Sequence, residues 1–404
     1  MSSVVRMSET GNRRMANRVQ QMGTSIFSEM SRLAAEHNAV NLSQGFPDFP
    51  THEWLKDAAQ QAIADNINQY AISHGSLRLR KAIASTAEDR MRLTFDVERE
   101  ITVTNGATEA IYDTIQALVN PGDEVILFEP AYDSYVPSIE MAGGIPRFVT
   151  LRSPDWHFDA NQLISQFSER TRAVIANTPH NPTGKVFSHD ELFQIADLCT
   201  KYDALAITDE VYEHLVFDDN RHISMASLPG MRDRTVTINS ASKTFSVTGW
   251  KIGYVLAPPD LTEAIRRVHQ FVTFCCAAPF QEAVAFALET ASESGYYAAL
   301  REDYAHRLDK LISLLDQAGL HPIRPQGTFF IMSDISSLDF ENDIQFARHM
   351  TVEGGVACIP PSSFYDNPVE GAHLARWCFA KRDDTLDAAG ERLAAWARKR
   401  TGGR

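Results

Sequence analysis

Short runs rich in β-branched residues recur through the middle of this chain, at Ile101–Thr104, Glu124–Phe128, Ala173–Asn177, Ala204–Thr208, Thr235–Asn239 and Ile252–Ala257. Stretches of helical spacing lie between most of them. That alternation constrains the fold more than any other feature, because parallel strands need long crossovers and helices supply them. One crossover is explicit. Ser188 and Glu191 form a capping box, with Leu192, Ile195, Ala196 and Cys199 on one face behind it. Helix and next strand meet at Lys201-Tyr202-Asp203. The expected architecture is α/β, with a large domain whose mostly parallel sheet is sandwiched by helices.

Beyond about residue 290 the pattern changes. A long helical segment from Tyr297 to about Ala318 precedes a strand at Thr328–Met332, a second helix, and runs at Gly355–Ile359 and Leu374–Ala380. This predicts a smaller α+β domain, against which the N-terminal segment is expected to pack. Residues 1–25 are polar, lack apolar periodicity and read as a mobile arm. A chain of 404 residues suits two domains.

The net charge of −14 argues against nucleic acid or an anionic membrane as partner, since both need a basic face. No apolar run is long enough to span a bilayer, and the N-terminal arginines precede no apolar core of a secretory signal. Cys199, Cys275, Cys276, Cys358 and Cys378 have no metal-ligand spacing. They read as thiols of a cytoplasmic protein, and no metal site is expected.

In an open parallel sheet, ligands sit outside the carboxyl ends of the strands. After Thr104 comes Asn105-Gly106-Ala107-Thr108, a glycine turn that offers amides and a hydroxyl to a phosphate. After Phe128 comes Tyr132, able to stack on a flat ring; after Asn177 comes Asn181, displaying an amide. After Thr208 come Asp209 and Tyr212, a carboxylate and a phenol. After Asn239 comes Ser240-Ala241-Ser242-Lys243, followed by Gly249-Trp250-Lys251-Ile252-Gly253. Asn181-Pro182 is also an ordinary turn, and Asp209 also a helix cap. Together, however, the strand ends fit pyridoxal 5′-phosphate. Lys243 would hold its aldehyde as a Schiff base and later carry the substrate Cα proton. Asp209 would keep the ring nitrogen protonated, and Asn181 and Tyr212 would face the phenolic oxygen. Thr108, Ser240 and Lys251, with the amides of Gly106 and Ala107, would carry the phosphate.

These residues, with Asn41-Leu42-Ser43-Gln44-Gly45-Phe46-Pro47-Asp48-Phe49 and Asn181-Pro182-Thr183-Gly184-Lys185, closely resemble a fold-type-I, class I aminotransferase of the kynurenine aminotransferase, glutamine transaminase K and methionine aminotransferase group. The resemblance runs from about Ile26 to about Leu386. It implies an arm at 1–25, a large cofactor-binding domain at 46–290, and a small domain combining 26–45 with 291–404. It implies that Arg376 grips the substrate α-carboxylate, with Asn181 and Gly45 nearby, and that Tyr70 reaches the phosphate of a neighbouring subunit in a homodimer. Phe27 and Phe364 are implied at the substrate side chain. Lys251 stands where many class I enzymes carry arginine. Phe27 replaces a tryptophan, and Phe274-Cys275 a phenylalanine-histidine pair, of the animal kynurenine enzymes.

No second arginine lies in a motif suited to a distal carboxylate, and the candidate lining (Phe27, Phe46, Tyr132, Phe274, Phe329 or Phe330, Phe364) is aromatic. The expected donor is therefore a neutral amino acid: methionine, glutamine, phenylalanine, tyrosine or kynurenine. Its amino group would pass to a 2-oxo acid by ping-pong kinetics. The same cofactor could serve a cysteine-conjugate β-lyase or an aminotransferase of one biosynthetic pathway. A regulator that kept the fold without catalysis is disfavoured by the joint presence of Lys243, Asp209, Tyr212, Asn181 and Arg376.

Overall fold

Seven strands form one sheet in the spatial order Ile101–Thr104, Gly253–Leu256, Thr235–Ser240, Leu205–Asp209, Thr171–Asn177, Glu124–Glu129 and Ile145–Thr150. The computed structural model describes residues 14–20, 23 and 25–401; the remainder of the expected arm (1–13, 21, 22 and 24) lies outside the described residues. Neighbouring strands are parallel except around Gly253–Leu256, which runs antiparallel to both of its partners.

The strands read as unbroken apolar runs because helices cover both faces. Successive side chains alternate between those faces. Val125, Leu127, Ile175 and Ile207 join Ile111 and Ile115 of the helix Ala107–Leu118. Ile126, Phe128, Val174 and Ala206 join Leu192 and Ile195 of the helix His189–Lys201. The capping box expected for that second helix is present: Glu191 N–H donates to Ser188 Oγ at 3.2 Å, and Ser188 N–H donates to Glu191 Oε2 at 2.9 Å.

The strand Ile145–Thr150 escaped sequence reading. It lies at the sheet edge, where Pro146 is tolerated, and its first four positions are not fully buried. Leu205–Asp209 begins and ends one residue later than expected, so Asp209 closes the strand rather than following it.

The helix Tyr296–Gln317 leads to an antiparallel sheet of Pro322–Ile323, Phe330–Asp334 and Leu374–Cys378. The middle strand starts two residues later than predicted, after Thr328 adopts a left-handed φ of 68°. Near the chain's start, Val40–Asn41 pairs in parallel with Val356–Ala357, and Cys378 N–H donates to Leu42 O at 2.8 Å. The preceding helix, Ile26–Glu36, is tied to the helix Asp343–Val352 by an ion pair between Glu29 and Arg348 at 2.7 Å. All five cysteines are free, and only Cys275 is not fully buried. Among the described residues, no helix is long and apolar enough to cross a membrane.

Candidate active site

A cavity of about 290 Å³ opens beyond the carboxyl ends of the parallel strands, lined by residues from nearly every segment singled out in the sequence. Lys243 reaches it from the strand Thr235–Ser240. Ser240 ends that strand and caps the single-turn helix Ala241–Thr244, accepting Ser242 N–H at 3.1 Å. Burial lowers the Lys243 ammonium to about 8; Lys251 and Arg376 add repulsion, while Cys378 and Asp209 oppose the shift.

Asp209 is 5% exposed. Its Oδ2 accepts the Tyr135 hydroxyl at 2.8 Å, and its Oδ1 accepts Val211 N–H at 3.3 Å. Burial pushes its carboxyl up to about 6, against the pull of those two donors and Lys243. Cationic nitrogen placed beside it would favour the ionised form.

A polar chain runs from this carboxylate's backbone to Arg376. Asn177 Nδ2 donates to Asp209 O at 2.8 Å, Asn181 N–H donates to Asn177 Oδ1 at 2.6 Å, and Arg376 Nη1 donates to Asn181 Oδ1 at 3.2 Å. Arg376 Nη2 donates to Ser43 O at 2.9 Å, while its buried Nε has no partner. The guanidinium lies 4.1 Å from the Phe330 ring centroid and 5.0 Å from that of Phe27. Burial lowers Arg376 to about 10, which leaves it a cation at neutral pH.

The opposite end of the cavity is a cup for an anion. Gly106, at φ 82°, precedes the helix Ala107–Leu118, so unpaired N–H groups of the first turn and the Thr108 side chain meet Lys251. A Cβ on Gly106 would lie 3.0 Å from Lys251 Nζ. Gly253 makes the tighter approach: a Cβ there would fall 2.6 Å from Gly106 C and 2.7 Å from Ala107 N. Gly253→Ala is therefore expected to cost about 1–3 kcal/mol of stability and to loosen binding of inorganic phosphate. Thermal unfolding and a phosphate titration check this; unchanged phosphate affinity would count against the cup.

The remaining expected site residues divide cleanly. Tyr132, Tyr212, Gly45, Phe27, Phe46 and Phe330 line the cavity. Tyr132 meets Tyr135 edge-on at 5.6 Å, and Tyr212 meets Phe329 edge-on at 5.1 Å. Burial holds the Tyr212 phenol well above its ordinary range. Phe329 lies beneath Lys243 Nζ, 5.5 Å away. Phe364 is not on the cavity wall; it sits behind, 5.7 Å from the Phe27 ring and 5.5 Å from the Arg376 guanidinium. Tyr70 is 83% exposed and packs edge-on against Phe274, and neither reaches the cavity of its own chain. Sequence reading missed Tyr135, three residues beyond Tyr132, and Asn177, the last residue of its strand.

The donors suit a small phosphorylated ring: an amide-rich cup with a lysine at one end, a buried carboxylate, a flanking tyrosine, and an amine of lowered basicity. Comparison with known proteins agrees. Residues 37–393 match the family model for aminotransferase class I and II. The chain is 41% identical to human kynurenine–oxoglutarate transaminase 3, covering 95% of this chain and 90% of that protein. It is 42% identical to the methionine aminotransferase of Escherichia coli, covering 93% and 97%. The solved N-succinyldiaminopimelate aminotransferase of Mycobacterium tuberculosis superposes with a TM-score of 0.91 at 44% identity, covering 94% of this chain and 99% of that one. The chain thus belongs to the fold-type-I, class I and II aminotransferases, and is a transaminase that uses pyridoxal 5′-phosphate.

Proposed function

We propose that this aminotransferase takes its amino group from a neutral L-amino acid of medium or large side chain and passes it to a 2-oxo acid. One observation carries the proposal: among the described residues, Arg376 is the single arginine lining the cavity, and the aromatic side chains Phe27, Phe46, Tyr132 and Phe330 line it too. One guanidinium serves one carboxylate. A second carboxylate on the side chain would be desolvated without a partner. The relatives named for kynurenine and methionine agree with this reading.

When bound, the cofactor supplies a ring that accepts electron density from the substrate Cα. The Ala107 amide, Thr108 and Lys251 would hold its phosphate and Tyr132 would flank the ring. The Gly106 N–H donates to Thr104 O at 2.8 Å and the Ser240 hydroxyl to Ile252 O at 3.1 Å, so these two would join only by exchanging those acceptors. Asp209, held by the Tyr135 hydroxyl, would favour a protonated ring nitrogen, and Asn181 and Tyr212 would serve the phenolic oxygen. Lys243 Nζ, its basicity lowered by burial, takes the Cα proton as base and returns it as acid. Arg376, with Asn181 and Gly45, orients the α-carboxylate, and Phe27 packs on the substrate side, backed by Phe364.

The reading includes a homodimer, with the phosphate also reached by Tyr70 of the partner subunit. Phe271, Tyr70, Ile72 and Phe274 are exposed at 85%, 83%, 58% and 46%, an apolar surface suited to burial against a second copy. It follows the family in dividing the chain into an arm (1–25), a large domain (46–290) and a small domain (26–45 with 291–404). It also places the enzyme in the cytoplasm, where free thiols persist.

A donor panel tests the proposal. Methionine, glutamine, phenylalanine, tyrosine and kynurenine should exceed aspartate and glutamate by at least about tenfold in kcat/KM, with parallel-line kinetics. Preference for aspartate or glutamate would overturn the substrate class. Preference for a succinylated diamino acid, the donor in the Mycobacterium relative's name, would overturn it in favour of a pathway-specific role.

A further inference from the structure

Beneath the anion cup lies a buried cluster with no part in the chemistry above. Glu109 and Asp113 stand one turn apart on the helix Ala107–Leu118 and face His269 of the helix Pro259–Val272. The His269 and Asp113 side chains are wholly buried. His269 Nδ1 lies 2.7 Å from Glu109 Oε1 and 3.5 Å from Asp113 Oδ2, and Nε2 lies 2.8 Å from Ser73 O. A backbone carbonyl only accepts, so Nε2 carries a hydrogen. Burial works against a charge on Glu109, but His269 and the Asn105 N–H, donating to Oε2 at 2.5 Å, hold it below its ordinary value. Facing an ionised carboxylate, Nδ1 must donate as well. With a proton on each ring nitrogen, His269 is an imidazolium.

The position of that charge matters. Glu109 follows Thr108 directly, in the first turn of the helix whose N–H groups form the cup. A bare carboxylate there would repel a phosphate dianion held by the same turn, and Asp113, neither of whose oxygens has a hydrogen-bond partner, would add to the repulsion. We propose that His269 is a positioning residue whose single positive charge offsets the charge of Glu109, and so reduces the repulsion from the Glu109–Asp113 pair beneath the cup and preserves the affinity of the helix end for the cofactor phosphate. This rests on the reading that the phosphate occupies the cup.

The other titratable groups facing the cluster are Cys275 and Cys276 of the following turn. Burial and the neighbouring carboxylates keep the Cys276 thiol protonated and neutral. Arg266, on His269's own helix, turns instead to Thr102 and to the carbonyls of Glu98 and Ile101. The segment at Ser73 has further anchors: Arg80 Nε donates to Gly75 O at 3.0 Å, Val103 N–H to His74 O at 3.1 Å, and Ser76 N–H to Gln281 Oε1 at 2.7 Å. Loss of the imidazolium therefore changes charge more than it changes structure.

The test is the pyridoxal phosphate dissociation constant of the full-length protein at pH 7, read from visible absorbance during dialysis. His269→Asn should raise it about 10- to 50-fold. Adding Glu109→Gln should restore most of the loss, because glutamine still accepts the Asn105 N–H without charge. Asp113→Asn alone should tighten binding about 2- to 5-fold. No loss in His269→Asn, or a double variant no better than the single one, would overturn the proposal. If His269→Asn does not fold, Asp113→Asn decides, and an unchanged or loosened hold overturns it. Lys251→Ala keeps the two readings apart: if it leaves binding intact, the location of the phosphate is wrong, whereas if it loosens binding while His269→Asn does not, only the role of His269 fails.

A second readout follows from the raised basicity. Burial opposes the charge, but Asp113, Glu109 and the Ser73 carbonyl raise His269 from 6.5 to about 9. Its stabilisation is complete below the unfolded value and is lost as pH rises through the folded one. Burial also raises the Asp113 carboxyl to about 6, so the Tm gap between parent and His269→Asn should be widest near about pH 7, above the range where Asp113 takes up a proton, and narrow by about pH 10. A gap constant across that range would mean packing alone and would overturn the proposal.

Discussion

With Lys243 replaced by alanine, the protein is expected to fold and to bind pyridoxal phosphate, yet to release 2-oxo acid from an amino acid about 10⁴-fold more slowly. The loss falls on the chemical step because Lys243 is the amine on the cavity wall whose lowered basicity suits it to move a proton near neutral pH. The other lysine there, Lys251, lies beside Gly106 at the cup. Folding should survive, since the substitution removes a buried ammonium rather than a filled apolar volume. Single-turnover release of 2-oxo acid is the measurement, with Tm and bound cofactor determined on the same sample. A rate within about tenfold of the parent, in a folded and loaded variant, would remove Lys243 from the mechanism.

Arg376→Ala should lower kcat/KM for amino acids by about 10²- to 10³-fold, chiefly through KM, because it deletes the buried cation assigned to the α-carboxylate. The truncation also strips Asn181 Oδ1 and the Ser43 carbonyl of their donor. Arg376→Lys should recover only part, since a point charge cannot span both acceptors while stacking on Phe330. A primary amine without a carboxylate separates recognition from general damage. Its slow turnover should be nearly the same in parent and variant. Equal losses for amine and amino acid would mean that Arg376 supports the fold rather than the substrate.

Much of this site is written locally in the chain. Thr104, Asn177, Asp209 and Ser240 each close a strand whose β-branched character is visible, so the residues just beyond them could be placed at one edge without a structure. What stayed hidden depended on distance. Tyr135 reads as an ordinary helical tyrosine until its hydroxyl is seen on Asp209, 74 positions away. Glu109 and Asp113 show helical spacing, but nothing local says that His269 will lie between them. Arg376 interrupts a strand pattern and was named by resemblance alone; its contacts with Asn181 and Ser43 are tertiary. Phe364 and Tyr70 were named by resemblance, and their packing, behind Phe27 in one case and out toward solvent in the other, is a tertiary fact that composition does not encode.

The reversed strand Gly253–Leu256 has a wider consequence. Because it runs against Thr235–Ser240, with Ser240 opposite Gly253, the connection between them leaves and re-enters the sheet at the same edge. Lys243 and Lys251 are thus two points on one short closed span, clamped at both ends. On the roles proposed for them, the attachment point of the coenzyme and the anchor of its anionic tail would both depend on this one connection, which is built from the turns Ala241–Thr244 and Thr248–Trp250. Insertions there should be among the least tolerated in the molecule.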